Sequence, residues 1–155
     1  MNDELLAPCG LYCEVCAVYQ ATLRDDQRLK QRLLESYQGR LPEGGEMTLA
    51  DVHCLGCLSA ETFAYCRHCP VRLCTRDQGL EGCHQCGRFP CLFIDSFPLP
   101  EGKAAILRAV PRWRQVPTAQ WVAEELRRYQ CPQCQRQLFR GARRCADCHS
   151  LVNLG

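Results

Sequence analysis

The residues able to do chemistry in this chain are its thiols, because 15 of its 155 residues are cysteine. Twelve of them fall into six Cys-x-x-Cys pairs: Cys13/Cys16, Cys54/Cys57, Cys66/Cys69, Cys83/Cys86, Cys131/Cys134 and Cys145/Cys148. A tight turn between paired thiols aims both sulfurs at one ion, and two such pairs complete a tetrahedron. Cys9, Cys74 and Cys91 stand outside the pairs. An odd total would strand one thiol in an all-disulfide protein, so number and spacing both point to metal. All fifteen cysteines are candidate ligands.

The clearest constellation is Cys131-Pro-Gln-Cys134, a spacer of ten residues, then Cys145-Ala-Asp-Cys148. Two knuckles joined by a hairpin-sized spacer are what a zinc ribbon requires, with four thiolates closing the site. Leu138-Phe139 supplies apolar strand material and Gly141 a turn. Gln135 and His149 stand where ribbons often carry Gly, which predicts a less relaxed backbone at both positions.

The other eleven cysteines do not divide by four. A histidine, a bridging thiolate or a few free thiols would balance the count. His53, His68 and His84 lie beside or inside Cys-x-x-Cys pairs, and each reads as a bystander rather than a ligand. The simplest pairing sets Cys13/Cys16 with Cys54/Cys57 and Cys66/Cys69 with Cys83/Cys86, leaving Cys9, Cys74 and Cys91 over. Cys66-x2-Cys69-x4-Cys74 also recurs as Cys83-x2-Cys86-x4-Cys91, as if two similar knuckles followed one another. Several zinc ions are the expectation. Iron–sulfur is the alternative, chiefly for residues 54 to 91, since four thiolates suit both. Cys9-x3-Cys13-x2-Cys16 matches the radical-SAM cluster spacing, but that chemistry needs a barrel of roughly 200 residues or more.

The elements that must position these thiols are short. Val18, Leu29, Leu33, Leu34 and Tyr37 recur at near-helical spacing and predict one amphipathic helix over about 17–37, stopped by Gly39 and Pro42. Pro90 is placed to open a short helix carrying Leu92, Phe93 and Phe97. Lys103 to Val110 predicts a helix ended by Pro111. Thr118 is the expected N-cap of another, with Trp121, Val122, Leu126 and Tyr129 on one face. Trp113 and Trp121 read as core anchors.

Composition agrees with a stapled scaffold. Apolar residues make up 46%, but cysteine contributes about 10% of the chain, leaving about 36% to build a core. Net charge is +2, split as +6 over residues 99–155 and −4 over 1–98. Bound thiolates make the Cys-rich part more acidic still, so nucleic-acid binding by the whole chain is not favoured. Arg136, Arg140, Arg143 and Arg144 nevertheless make the ribbon hairpin basic, a surface for an acidic protein or nucleic acid, or simply a solvated one. The acidic N-terminus carries no secretory pattern, and no run approaches the roughly 18 apolar residues of a membrane span. A reducing cytoplasm is the expected location, and there thiols serve metals rather than disulfides.

In order, Cys9-Gly-Leu-Tyr-Cys13-x-x-Cys16, Cys54-x-Gly-Cys57, Cys66-x-x-Cys69-x-x-Arg72-x-Cys74 and Cys83-x-x-Cys86-x-x-x-Pro90-Cys91 closely resemble a Cys-rich bacterial and archaeal family. That family is catalogued as domain of unknown function 3795, and the resemblance covers about residues 7 to 98. It implies a small cytoplasmic metal-binding protein and brings no activity.

The expected architecture is therefore a small, metal-stapled α+β protein. An irregular zinc-knuckle module occupies 1–98 (knuckles 54–91), a helical connector 99–129 and a zinc ribbon 130–155. The expected function is a structural zinc-binding adaptor of unknown partner. The alternatives are an iron–sulfur electron carrier and an enzyme using an open zinc site. No P-loop, G-x-G-x-x-G, H-E-x-x-H or G-x-S-x-G occurs, and all four histidines sit within a residue of a cysteine, so no free general base stands out.

Overall fold

Where the sequence breaks its own helical pattern, the chain turns. The computed structural model describes residues 2–42 and 44–154. The helix expected over 17–37 is two helices, α1 (Ala17–Leu23) and α2 (Gln27–Gln38). Two aspartates divide them. Asp25 takes a left-handed backbone (φ 45°), and the Asp26 carboxylate accepts the Leu29 N–H at 2.9 Å as an N-cap. Folding back brings Val18 of α1 against Leu34 of α2 in a small core with Leu41, Val52 and Phe63.

α3 (Pro70–Asp77) opens on a proline, where the missing N–H costs nothing. α4 (Leu92–Asp95) follows Cys91, leaving Leu92 and Phe93 exposed. α5 (Pro100–Trp113) runs longer than the sequence predicts and passes through Pro111. Only the carbonyl of Leu107 loses an N–H partner there, and Leu107 is exposed, so water can serve it. α6 (Thr118–Arg128) begins at Thr118, with Pro117 in the capping position. The Thr118 hydroxyl instead accepts the Trp113 indole N–H at 3.0 Å, so the expected cap serves the turn between α5 and α6.

The main core is continuous across the chain, gathering Leu5, Val15, Ile94, Ile106, Trp121 and Tyr129. Trp113 and Trp121 stack at 4.2 Å with an interplanar angle of 6°, and Tyr12 meets Trp121 edge-on at 6.1 Å. α5 and α6 are further joined by two paired ion bridges, Arg108–Glu125 and Arg112–Glu124.

The molecule is mostly helical. Among the described residues the expected β component reduces to isolated bridges at Leu6–Tyr12, Gln130–Gln137 and Arg144–Leu151. Each knuckle reverses the chain within a few residues, and so little extended backbone cannot build a ladder.

Candidate metal centre

Cys131, Cys134, Cys145 and Cys148 come together at the C-terminus, their Sγ atoms all within 4.8 Å of one another. Each knuckle is built the same way. The N–H of Gln135 reaches the Cys131 carbonyl at 2.9 Å, and that of His149 reaches Cys145 at 3.1 Å. Cys131 N–H in turn reaches Arg136 O at 2.8 Å, and Cys145 N–H reaches Ser150 O at 3.0 Å. The turn closes only if the residue after the second cysteine is left-handed, as Gln135 (φ 61°) and His149 (φ 59°) are. The less relaxed backbone expected at these two positions is therefore present.

The distances are informative. Cys131 Sγ lies 3.6 Å from Cys148 Sγ, and Cys134 Sγ lies 3.6 Å from Cys145 Sγ. A disulfide requires about 2.05 Å. Four sulfurs about 2.3 Å from one central ion sit about 3.8 Å apart. An iron–sulfur cluster spreads its thiolates further, because they attach to different irons. The tetrad has the dimensions of a single tetrahedral ion.

Two of its thiols are drawn toward thiolate, whereas Cys134, although it accepts the Arg136 N–H, is pushed up to about 12 by desolvation and by the neighbouring thiols Cys145, Cys148 and Cys131. The backbone N–H of Cys134 points at the Cys131 sulfur and brings that thiol down to about 6. The Ser150 hydroxyl and backbone N–H lower the thiol of Cys148. Cys131 and Cys145 are fully buried while Cys134 and Cys148 face solvent, so water can reach one side. Arg136 and Asp147, one from each knuckle, pair at 2.7 Å across the outside.

The C-terminal segment is held to the body by backbone contacts. Arg140 N–H donates to Val15 O at 2.7 Å, and Leu138 N–H donates to Tyr129 O at 2.8 Å. The buried Gln20 amide of α1 donates to the Leu138 carbonyl at 3.2 Å and to Glu14 O at 3.0 Å. Three of the four arginines of this segment have partners of their own. Arg136 is paired with Asp147, Arg140 lies over the Tyr129 ring, and Arg144 donates to His149 O.

The N-terminal thiols form two neighbourhoods. In the first, burial raises Cys13 well above the usual thiol range, with Cys57, Cys16 and Cys54 adding to it. Burial likewise raises Cys66, beside Cys57, Cys16, Cys69 and Cys54. Cys57 is raised the same way, with Cys9 and Cys69 as its foremost neighbours. In the second, burial pushes Cys83 to about 12, and its thiol neighbours are Cys9, Cys91, Cys86 and Cys74. The neighbours of Cys13 and Cys66 are thus drawn from Cys16, Cys54, Cys57 and Cys69, and those of Cys83 from Cys9, Cys74, Cys86 and Cys91.

The cause is α3. Cys69 caps its N-terminus and Cys74 lies five residues on, about 7 Å along the axis, so the helix divides the first Cys-x2-Cys-x4-Cys unit between neighbourhoods. In the second unit the four residues between Cys86 and Cys91 form a loop, and its three cysteines stay together. Among the described residues no three N-terminal thiols lie within 4.8 Å of one another.

Two glycines and two arginines shape this region. Gly10 (φ +89°) sits where a Cβ would meet the Val110 side chain at 2.6 Å, so the turn of the Cys9–Cys13 motif packs directly on α5. Gly56 (φ +138°) would meet the Glu4 carbonyl at 2.6 Å. Arg72 donates to the carbonyls of Cys57 and Arg67, both at 2.8 Å, tying α3 to two knuckles. Arg114, just beyond α5, donates to the carbonyls of His84 (3.0 Å), Cys83 (3.4 Å) and Cys86. Nothing in the sequence links Arg114 to a loop some thirty residues earlier; Arg72 at least lies inside the Cys66–Cys74 motif.

The histidines point elsewhere. His53 pairs with Glu61 at 3.0 Å, His68 is exposed, and His84 stacks on Trp113 at 3.8 Å.

Compared with known proteins, residues 5–96 match the family model described as "Protein of unknown function (DUF3795)". No curated protein and no solved structure matches the chain.

Proposed function

The chain belongs to the family described as Protein of unknown function (DUF3795), which carries no activity to transfer, so we propose its role from its own thiols. It is a metal-binding module whose cysteines hold zinc for structural reasons. The supporting observation is the Cys131–Cys134–Cys145–Cys148 tetrad, with its four sulfurs within 4.8 Å. Four thiolates on one ion leave no open coordination position for substrate water, which suits a structural rather than a catalytic zinc. The C-terminal knuckles are read as a zinc ribbon lacking an extended sheet. The eleven N-terminal thiols are read as ligands of further ions. The exposed Leu92, Phe93 and Leu151 are apolar points at which an adaptor would meet a partner, and the chemistry of that partner is left open.

Zinc binding at such sites is worth on the order of 10 kcal/mol, enough to decide whether a small chain folds. Elemental analysis of full-length protein purified without oxygen tests the reading. Zinc in a colourless preparation is expected, with one equivalent lost in Cys131→Ser/Cys145→Ser. A brown preparation rich in iron and sulfide would replace zinc with an iron–sulfur assignment. The same tetrad holding iron alone would show as a red, sulfide-free protein and would overturn zinc at the ribbon.

A further inference from the structure

A second ligand set stands out once the ribbon is set aside. Cys74, Cys83, Cys86 and Cys91 line one cavity of about 20 Å³, walled otherwise by apolar groups such as Val71 and Phe89. We propose that this cavity is a second tetrahedral metal site, taking one zinc-class divalent ion on these four thiolates. The proposal deepens the reading above by assigning four of the eleven N-terminal thiols to one ion. It rests on residues separate from the ribbon.

Three elements bring the ligands together. Cys74 projects from α3, Cys91 precedes the first turn of α4, and Cys83 and Cys86 flank a short 3-10 turn closed by Cys86 N–H to Cys83 O at 3.1 Å. That turn is fixed from outside. Cys83 N–H donates to Pro8 O at 2.7 Å, and Arg114 binds the carbonyls of Cys83, His84 and Cys86. His84 is turned away onto Trp113, which leaves the cavity to sulfur alone. Such carbonyl contacts hold a Cys-x-x-Cys turn in ligating form before any ion arrives.

Size selects the occupant. The cavity has room for about one water-sized body. A single ion fits and would draw the four sulfurs, now more widely spaced than the ribbon's, to bonding distance. Four irons with their sulfides would have to displace Val71 and Phe89. Cys9 is the rival fourth ligand, since it neighbours Cys83 as well, but it does not line the cavity. The chemistry balances simply: four thiols release four protons as M²⁺ enters, giving a site of net charge −2.

The test uses the full-length chain loaded with zinc and then exchanged with cobalt. Cys74→Ser is expected to lose one equivalent of metal and the matching share of sulfur-to-cobalt charge-transfer absorbance, whereas His84→Ala, at a ring turned onto Trp113, keeps both. Cys131→Ser serves as the ribbon control. Loss there with no loss in Cys74→Ser would sink this site and leave the ribbon standing, and the reverse would do the opposite. Because a variant can fail to fold, the unaltered protein supplies a second readout by alkylation and mass spectrometry. Cys74, Cys86 and Cys91, each only half-buried, are expected to resist N-ethylmaleimide while zinc is bound and to react together on chelation. Modification of Cys74 and Cys91 at free-thiol rates in the loaded protein would overturn the proposal, as would a sulfide-containing, brown occupant removed by Cys74→Ser.

Discussion

Gln135 and His149 place a physical cost in the two turns that carry the proposed metal ligands. A side chain in the left-handed region costs roughly 1–2 kcal/mol, and glycine avoids most of it. Both residues sit at equivalent points of the two knuckles with nearly the same φ, 61° and 59°. Neither knuckle can relax, because its N–H must reach the carbonyl of the first cysteine. Gln135→Gly and His149→Gly are therefore expected to stabilise the zinc-loaded protein by about 0.5–1 kcal/mol each, net of the entropy glycine adds to the unfolded chain. A urea titration at saturating zinc measures this, and a loss of stability in both variants would count against the geometry. This feature was legible in the sequence, because the ribbon spacing marks the position after each second cysteine as one that favours glycine. The roles of the histidines were legible only as a tendency. Position in sequence sets His84 beside Cys83, but the stacked Trp113 ring comes from α5 and fixes where the imidazole goes.

Between elements, the α5–α6 contact rests on charge as much as on tryptophan. Glu125 is buried at 2% exposure, and the guanidinium of Arg108 pairs with both of its carboxylate oxygens. Without Arg108 the carboxylate keeps only Arg128, at 3.9 Å, and a buried carboxylate so weakly paired must either stay charged in a poor dielectric or take a proton. Arg108→Ala is expected to destabilise by about 3 kcal/mol, and adding Glu125→Gln is expected to recover much of that, since no lone charge then remains. Thermal melts of the two single variants and the double complete the cycle, and strictly additive losses would remove the pairing argument. Helical segments were readable from periodicity, yet their limits were not. Asp25 and Asp26 split one expected helix because each has a local use for its carboxylate or backbone that competes with helix. Pro111 did not stop α5, and the one bond its missing N–H costs falls at Leu107, an exposed residue. Pairing among the N-terminal thiols was beyond the sequence for a related reason. A repeat of spacing does not ensure a repeat of contacts when a helix, α3, grows between two of the three cysteines.

Over the whole molecule, the metal-free fold carries buried thiols, and their proton binding makes occupancy of the proposed sites readable through pH. In the empty form burial holds Cys9 and Cys83 at about 12. Unfolded cysteine titrates near 8.5 (roughly, as in peptides). A folded value above the unfolded one means that this stabilisation is whole below about 8.5 and fades as pH climbs toward the folded value. A bound ion inverts the sign. Its thiolates are held unprotonated far below 8.5, so the unfolded chain binds more protons at neutral pH and stability rises with pH until the free thiols ionise. For a four-thiolate site the slope approaches four protons, about 5 kcal/mol per pH unit at fixed free zinc. The urea midpoint of zinc-loaded protein should thus rise steeply from pH 6.5 to pH 8.5, while chelated protein, in which only the lowered thiols of Cys131 and Cys148 add stability over that window, rises far less and is much the weaker at every point. Flat curves for the loaded form, or equal midpoints with and without chelator, would mean that apolar burial alone carries the fold. The cores argue otherwise: each is small, and thiols complete all three, Cys9, Cys13 and Cys83 in the first, Cys54 in the second, Cys131 and Cys145 in the third.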